Sequence, residues 1–363
     1  MNKRKVVVAM SGGVDSSIAA ALLQQKGYDV SGVIMEIYDE SIPSSEGIHH
    51  ACFGPGEKED IEDARKVAEK LRIPFYTINL KETYKKSIID FFVKEYLDGN
   101  TPNPCVKCNH EMKFGAIIEE LRKQGIEFDY FATGHYARIK YDRNRKQFIL
   151  KKAVDLKKDQ SYFLFNLSRN QLERIILPLG NYKKEEVRRM AKELIPEVSN
   201  KEESQDFIAG GYHQLFANTH TPGPILNTRG EMIGKHKGIV FYTIGQRKGI
   251  GIPNDKPLYV ISKDKKRNAL IVGENQNLLG TRLIAKSLNW LAFDNLTVTV
   301  NLKARIRYLH KEADAVVSPL NADGENVFVT FKEPQPAITP GQAVVFYDGN
   351  VVVGGGIIDK EVK

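Results

Sequence analysis

The sequence predicts an α/β fold: a doubly wound parallel sheet, followed by a small β domain and a C-terminal antiparallel β-barrel. Three observations predict it. In the first 135 residues, short apolar runs alternate with longer helical patterns, which is typical of βαβ units. A glycine-rich turn joins the first apolar run to the first helical pattern. Beyond about residue 280, short alternating runs separated by Gly, Asn and Pro turns are typical of a small barrel.

The elements of the first part follow one another in a regular order. The Val-rich run at 4–9 predicts a buried strand, and the next pattern predicts a helix that ends at Gly27. Apolar residues recur on one face of 57–71, which predicts an amphipathic helix. The predicted strands are 4–9, 30–39, 73–80 and 128–135, and the predicted helices are 18–28, 57–71, 82–98 and 110–125.

The pattern changes near residue 217. The segment 217–231 is rich in Pro, Gly, Asn and Thr and is typical of a loop. Further strand-like runs follow at 238–244, 257–264, 268–273, 296–308, 314–320, 326–331, 343–350 and 351–359. These changes predict three domains, at 1–217, 218–279 and 280–363.

Composition limits the class of protein. The 363 residues hold three cysteines, too few for a disulfide framework, so a reducing cytoplasm is expected. We find no apolar run long enough to span a membrane and no signal peptide, so no membrane partner is expected. The net charge of +8 permits a polyanionic partner such as RNA.

The turn SGGVDSS at 11–17 carries the first chemical signal. Two glycines allow close backbone approach, and serines together with the free N–H groups of a helix start form a cradle for phosphate. The lysine of a Walker P-loop is absent. An ordinary capped turn is the alternative, but SGGxDS after a Val-rich strand resembles the PP-loop of ATP pyrophosphatases, which split ATP into AMP and pyrophosphate.

The segment TPNPCVKCN at 101–109 contains Cys105 and Cys108, and its two prolines predict a stiff loop between helices. The third cysteine, Cys52, also follows a predicted strand. Three thiolates can hold one corner-open iron–sulfur cluster. Cys52 with His49 or His50 can instead complete a zinc site, and persulfide chemistry between two thiols is a third hypothesis.

Four further segments have an ambiguous pattern. His135 in ATGHYAR ends the fourth predicted strand, where it either bonds the backbone or faces a ligand. KKDQSYFL at 157–164 and YTIGQRKGIGI at 242–252 are basic segments that are typical of solvated loops. KARIRYLHK interleaves basic and aromatic residues, which suits RNA as well as the polar face of a strand.

The motifs that carry a family resemblance are, in chain order, SGGVDSS, Met35, EDARKVAEKL, TPNPCVKCN, HEMKFG, ATGHYAR, KKDQSYFL, YTIGQRKGIGI, RIRY and PGQAVVFYDG. Together they resemble the tRNA-specific 2-thiouridylases, the MnmA family, over nearly the whole chain. The resemblance implies a PP-loop domain, a central β domain and a β-barrel. It also implies that ATP, with Mg²⁺, adenylates the C2 oxygen of the wobble uridine in certain tRNAs, after which sulfur attacks C2 and AMP leaves.

The resemblance also implies site residues. Cys108 would handle sulfur, with Cys105 beside it. ATP would contact Ala9, Met10, Ser11, Gly12, Gly13, Val14, Asp15, Ser16, Met35 and Gly134. The tRNA would contact Asn103, Pro104, Cys105, His135, Lys158, Asp159, Gln160, Arg307, Tyr308 and Gln342. The sulfur donor would be a persulfide carrier protein or free sulfide.

Two positions depart from the family pattern. Cys105 stands where better-known members have aspartate, and Ile208 stands where the second catalytic cysteine is usual. Three mechanisms stay open: a [4Fe–4S] cluster on Cys52, Cys105 and Cys108, a local relay between Cys105 and Cys108, or a paralogue acting on another base or substrate. An AMP-forming ligase and a non-catalytic RNA-binding protein with structural zinc are alternatives of other classes.

Overall fold

The computed structural model describes residues 3–42, 51–201, 206–216, 221–321 and 324–362. The chain forms two compact units. The first consists of Met1–Ile89, Pro104–Tyr212 and Asn350–Val352, and the second consists of Asp90–Asn103, His213–Gly349 and Val353–Lys363. No helix among the described residues is long and apolar enough to cross a membrane.

The elements are numbered in chain order. The α-helices are α1 Val14–Gln25, α2 Glu57–Leu71, α3 Lys81–Tyr84, α4 Asp90–Leu97, α5 Pro104–Lys107, α6 Ile117–Lys123, α7 Arg169–Glu173 and α8 Lys184–Leu194. The strands are β1 Lys5–Ala9, β2 Asp29–Glu36, β3 Ala51–Phe53, β4 Phe75–Asn79, β5 Tyr130–Thr133, β6 Ala137–Asp142, β7 Gln147–Lys152, β8 Ile175–Ile176, β9 Asp206–Ile208, β10 Gly223–Leu226, β11 Met232–His236, β12 Tyr259–Asp264, β13 Ala269–Gly273, β14 Leu279–Trp290, β15 Val300–Arg305, β16 Ala313–Pro319, β17 Val327–Pro336, β18 Ala343–Asp348 and β19 Val351–Glu361.

The first unit contains a parallel sheet with strand order β4-β2-β1-β5-β8, which confirms the predicted α/β class. The strands are apolar because both faces are covered, and Val6, Val7 and Val8 of the central β1 are almost fully buried. They pack in one core with α1, α2 and α8. The carboxyl end of β1 leads directly into the glycine turn and α1.

One prediction for this unit is wrong. The segment around Cys105 is not a loop between helices, because α5 begins at Pro104 and continues as π-helix through Cys108–Ala116 into α6. Proline fits the first helical position, where its missing N–H has no intrahelical partner to lose. Cys105 and Cys108 therefore lie on one helical segment. The antiparallel β6–β7 hairpin and α8 were not predicted from the sequence.

The second unit contains a closed barrel of six antiparallel strands, in the order β14-β17-β16-β15-β18-β19 with β19 paired back to β14. This confirms the predicted barrel. Its interior is filled by the inward-facing side chains of alternating strand positions, among them Leu283, Val317 and Val329, which are fully buried. The first barrel strand, β14, lies before the run at 296–308 where the sequence analysis began its barrel strands.

A four-stranded sheet, β11-β10-β13-β12, precedes the barrel and encloses its own small core. Two local predictions are wrong here. The loop predicted at 217–231 contains β10, because pairing with β11 and β13 outweighs the weak strand propensity of its Gly and Pro. The strand predicted at 238–244 is instead a short 3-10 helix at Ile239–Phe241. The predicted boundary at 217/218 lies outside the described residues.

Candidate active site

A cavity lies at the carboxyl ends of β1, β2 and β5 in the first unit, where ligands bind in open parallel sheets. It brings together seven of the ten residues predicted to bind ATP. These are Ala9, Met10, Ser11, Asp15, Ser16, Met35 and Gly134, whereas Gly12, Gly13 and Val14 do not line it. Its wall also contains Cys52, Lys113, His135 and Gln160.

Two glycines allow the backbone around this cavity to pack closely. Gly12 has a φ of +66°, and a Cβ there would lie 2.5 Å from the carbonyl oxygen of Asp60. A Cβ on Gly134 would lie 2.8 Å from backbone atoms of Asp15 and Ser16, at the start of α1. A side chain at either position would push the glycine turn away from its place.

The first turn of α1 offers an anion site. Gly13 is the N-cap residue of α1. Among the described residues, no side chain accepts a capping hydrogen bond at this helix end. The Ser11 N–H donates to Ser16 Oγ (3.1 Å), and Ser17 Oγ donates to the Gly13 carbonyl (2.8 Å). These bonds hold the turn in shape, while N–H groups at the start of a helix attract phosphate oxygens.

Asp15 is held by a buried lysine that the sequence analysis missed. Lys184 Nζ lies 2.8 and 2.7 Å from the two carboxylate oxygens of Asp15, and the Tyr136 hydroxyl donates to Oδ1 at 2.9 Å. Lys184 is only 7% exposed. It is the first of two lysines on α8 and lies among other charged residues, so the sequence pattern did not distinguish it from its solvated neighbours.

Two further carboxylates line the cavity and were also missed. Glu57 Oε1 accepts the backbone N–H groups of Ile37 and Tyr38 at 2.7 and 2.8 Å, and burial raises the pKa of Glu57. Asp60 accepts Lys201 Nζ at 2.7 Å, yet burial still raises its pKa. Together with Asp15, these two side chains supply carboxylate oxygens to the cavity wall. Mg²⁺ prefers oxygen ligands of this type.

The three cysteines share one neighbourhood. Cys52, on β3, is exposed, whereas Cys105 and Cys108 are half-buried. Burial raises the pKa of Cys105 to about 12, with the Cys52 and Cys108 thiols adding to the effect. Burial raises the pKa of Cys108 to about 11, against the opposing charge of Lys113. Both thiols are therefore protonated at neutral pH.

The cysteines do not form a ready metal site. Thiolates are suitable donors for iron, but the described residues contain no group of three or more His, Cys, Asp or Glu side chains placed to hold one metal ion. His49 and His50, predicted as zinc ligands with Cys52, lie outside the described residues. The donor type fits a cluster but the arrangement does not, so we assign no reaction step to one.

His135 lies in the cavity wall with a neutral ring. Its Nδ1 and Thr133 Oγ1 are hydrogen-bonded at 2.8 Å. Burial, together with the positive charge of Lys113, holds the pKa of His135 well below its ordinary value. Gln160 Oε1 accepts the N–H of Tyr136 at 2.9 Å. Both residues were predicted to contact tRNA, and the structure places both beside the predicted ATP residues.

The other residues predicted to contact tRNA in the first unit lie in different settings. Pro104 is buried at the start of α5. Lys158 is half-buried in a turn, where its N–H donates to the Asp155 carbonyl at 3.1 Å. Asp159 is 3% exposed and accepts from the Ala153 N–H and the Ser161 hydroxyl at 2.9 and 2.8 Å. The carboxylate of Asp159 is thus satisfied inside the protein.

The remaining four predicted tRNA contacts belong to the second unit. Arg307 Nη2 donates to the carbonyls of Ile244 and Ala337 and to Thr339 Oγ1, at 3.0, 2.9 and 2.6 Å. The Tyr308 ring lies under the Arg305 guanidinium, 5.9 Å from ring centre to Cζ. Asn103 is half-buried. Gln342 Nε2 donates to the Thr101 carbonyl at 2.7 Å.

Ile208, at the position of the missing cysteine, lies in an apolar setting. It pairs with Phe53 across the parallel β3–β9 ladder, and both residues are almost fully buried. Cys52 is the neighbour of Phe53 on β3, so its side chain leaves the ladder on the opposite face.

Comparisons with known proteins cover nearly the whole chain. Family models match three consecutive parts: a tRNA methyl transferase HUP domain at 4–209, a tRNA methyl transferase PRC-barrel domain at 214–274 and an aminomethyltransferase beta-barrel domain at 280–358. Among solved structures, a predicted subunit of tRNA methyltransferase from Methanocaldococcus jannaschii is 18% identical, with a TM-score of 0.30 over 52% of this chain and 75% of that chain. This likeness is too weak to support an inference.

Curated relatives are much closer. The tRNA-specific 2-thiouridylase MnmA of Acetivibrio thermocellus is 46% identical over 365 residues, which cover 99% of this chain and 100% of the relative. MnmA 2 of Caldanaerobacter subterraneus is 47% identical and MnmA of Clostridioides difficile 45% identical, each over 368 residues and 99% of both chains. The chain belongs to the family of tRNA-specific 2-thiouridylases.

Proposed function

We propose that the chain catalyses ATP-dependent thiolation of a tRNA uridine at C2, at the wobble position, and releases AMP and pyrophosphate. One observation carries the proposal: the cavity that holds the glycine turn also contains Cys52 and Lys113, and the charge of Lys113 acts on Cys105 and Cys108. A phosphate cradle and a cluster of thiols therefore share one neighbourhood. ATP activation and sulfur delivery both require this arrangement.

The first step is activation of the uridine. Its C2 oxygen attacks the α-phosphate of ATP, a C2–O–AMP linkage forms and pyrophosphate leaves. Residues 11–17 and the N–H groups of α1 bind the phosphates, with Mg²⁺ on the nucleotide. Met35 and Gly134 lie at the adenine and ribose. A carbonyl oxygen is a poor leaving group and AMP is a good one, so ATP supplies the driving force.

The second step delivers sulfur through Cys108. A persulfide on Cys108 attacks C2 with its terminal sulfur, and AMP leaves. The Cys105 thiolate then attacks Cys108 Sγ. The bond between that Sγ and the transferred sulfur breaks, its electron pair stays on the sulfur at C2, and a Cys105–Cys108 disulfide forms. A small thiol reductant restores the two thiols. Lys113 assists because its charge lowers the pKa of both cysteines.

A [4Fe–4S] cluster on Cys52, Cys105 and Cys108 is the second candidate for sulfur delivery. Cys52 lies near enough to raise the pKa of both other thiols, although the described residues do not place the three to hold one metal ion. Binding would require the three thiols to come together and lose their protons. Iron and acid-labile sulfide analysis after anaerobic purification and reconstitution separates the candidates. About four irons per chain, lost in Cys52→Ser, would match the cluster.

The proposal includes partners and domain roles. The ATP-binding domain is 1–217, the central β domain is 218–279 and the barrel, 280–363, contacts tRNA through Arg307 and Tyr308. For the relay through Cys108, the sulfur donor is a persulfide carrier protein, whose outer sulfur passes to Cys108 while the carrier's own thiol leaves. Free sulfide is the donor for the cluster candidate, because sulfide forms no persulfide on a thiol without an oxidant. The site of action is the cytoplasm, where thiols stay reduced.

The test is a tRNA-dependent assay. The unchanged chain should release pyrophosphate from ATP only when tRNA is added, and nucleoside mass spectrometry should detect 2-thiouridine in that tRNA. Transcripts with the wobble uridine replaced by cytidine should not react. If pyrophosphate appears with a carboxylate and an amine instead of tRNA, the chain is a ligase. Thiolation at another base would indicate a paralogue with a different target.

A further inference from the structure

The segment that precedes Cys105 and Cys108 is held by several hydrogen bonds and an ion pair. Residues 98–102 precede Pro104, where the helix with Cys105 and Cys108 begins. Within the second unit, this segment bonds to two separate regions. One is residues 340–342, directly before β18, and the other is β12. We call this set of contacts the clamp.

Thr101 is held at both of its backbone polar groups. Its N–H donates to the Pro340 carbonyl at 2.8 Å, and its carbonyl accepts Gln342 Nε2 at 2.7 Å. The same Nε2 lies 3.4 Å from the Pro102 carbonyl. Thr101 is 7% exposed, so water does not readily replace these bonds.

Gly341 allows this close approach. Its φ is +89°, and a Cβ there would lie 2.9 Å from the Thr101 nitrogen and 3.0 Å from Asn100 Cβ. Both the conformation and the contact favour glycine. The sequence Pro-Gly-Gln at 340–342 therefore supplies an acceptor, a gap and a donor to one short segment.

Lys263 holds the preceding residue. Its Nζ donates to the Asn100 carbonyl at 3.3 Å and lies 5.4 Å from the centre of the Tyr96 ring. Burial lowers the pKa of Lys263 to about 8. At the surface beside it, Lys265 pairs with Asp98 at 2.6 Å. Lys263 on β12 and Lys265 just after this strand therefore contact the segment at two points.

We propose that Gln342 is a positioning residue for the thiolation reaction, acting through Thr101 and Pro102 on the placement of Cys105 and Cys108. The inference rests on the proposed function. Pro102 and Pro104 stiffen the chain between the clamp and Cys105, so a displacement at Thr101 reaches the thiols rather than being absorbed. Small errors in the placement of reacting groups cost large factors in rate.

Two variants and a matched control test the clamp. Gln342→Ala removes the donor. Gln342→Glu places a carboxylate against two carbonyls at neutral pH. Gln335→Ala is the control, because this barrel glutamine donates to the Glu333 carbonyl, outside the clamp. Lys263→Met is a further variant, at a different residue, that removes the hydrogen bond to the Asn100 carbonyl. It keeps the test decisive if a Gln342 variant fails to fold.

The first readout needs neither ATP nor tRNA. Iodoacetamide labelling of Cys105 and Cys108, resolved by peptide mass spectrometry, should proceed roughly five-fold faster in Gln342→Ala, the effect expected from one lost hydrogen bond. Labelling in Gln335→Ala should match the unchanged chain. Equal labelling rates in Gln342→Ala, Lys263→Met and the unchanged chain would overturn the clamp. Failure of the proposed function would not affect this readout.

The second readout is kinetic. For 2-thiouridine formation, kcat of Gln342→Ala at saturating tRNA should fall roughly ten-fold or more. Gln342→Glu should lose more. Because the family resemblance implies that Gln342 also contacts tRNA, the Kd for tRNA is measured separately. A kcat of Gln342→Ala equal to that of the unchanged chain at saturating tRNA, with unchanged thiol labelling, would overturn the inference and leave Gln342 as an RNA contact alone. Absence of 2-thiouridine from the unchanged chain would instead refute the proposed function.

Discussion

Lys184 and Asp15 meet in a two-pronged contact, with Lys184 Nζ 2.8 and 2.7 Å from the two carboxylate oxygens. The pair joins the first turn of α1 to the first turn of α8. Because Asp15 directly follows the residue that begins α1, this contact fixes the orientation of the glycine turn that precedes it.

Lys184→Met should reduce tRNA-dependent pyrophosphate release roughly a hundred-fold, because Asp15 loses its cation and the phosphate cradle loses its fixed geometry. Lys192→Met, at an exposed position of the same helix, is the matched control and should keep the rate of the unchanged chain. Steady-state pyrophosphate assays at saturating ATP measure both. Equal rates in the two variants would show that the ion pair is irrelevant to the cradle.

Gly134→Ala should destabilise the protein by about 1–3 kcal/mol, since the new methyl group would overlap backbone atoms at the start of α1. Gly13→Ala is the control. Gly13 has a φ of −92°, and a Cβ there meets only Ser11 Oγ, at 3.5 Å. Its unfolding free energy should stay within about 0.5 kcal/mol of the unchanged chain. Urea unfolding followed by circular dichroism gives both values, and a larger loss in Gly13→Ala would contradict the geometry.

Cys108→Ser should abolish 2-thiouridine formation, because serine cannot carry the transferred sulfur. Cys105→Ser should stop after one turnover at most, with the tRNA trapped on Cys108, because no thiol resolves the mixed disulfide. Gel electrophoresis without reductant detects the trapped species, and added thiol should release it. Multiple turnovers by Cys105→Ser without added thiol would rule out the local relay.

The rate at which Cys105 and Cys108 are alkylated should keep rising with pH above the range in which a free thiol ionises. Their pKa values of about 12 and 11 keep them protonated below pH 9. The rate of alkylation should therefore rise about ten-fold per pH unit from pH 7 to 10, without the plateau that a free thiol reaches near its pKa of about 8.5. A plateau near pH 9 in the folded chain would contradict the burial of these thiols.

The raised pKa values of Cys105 and Cys108 also make the stability of the fold depend on pH. Between the unfolded and folded pKa values of these thiols, the folded chain retains protons that the unfolded chain has lost. The free energy of unfolding should therefore fall as pH rises above about 9. Other groups titrate in this range, so the double variant Cys105→Ser/Cys108→Ser is the comparison. Its stability should decline less steeply, and parallel curves would contradict the shifts.

Short patterns in the sequence determined the class of the fold and the place of the glycine turn between β1 and α1. Strand β1 and the turn after it depend on neighbouring residues: a run of valines, two glycines and a helix start. The barrel was predictable for the same reason, because alternation along each strand records which face is buried. The loop predicted around Cys105 was wrong, because Pro104 is compatible both with a loop and with the first turn of a helix.

Tertiary structure alone decided which polar groups meet. Lys184 lies 169 positions from Asp15 in the chain, and Gln342 lies 241 positions from Thr101. Asp159, which resembled an RNA contact, faces inward because the N–H of Ala153 lies beside it. The raised pKa values of the cysteines are set by burial among distant segments. Periodicity reports burial along one element, whereas pairing of buried charges and donors depends on packing between elements far apart in sequence.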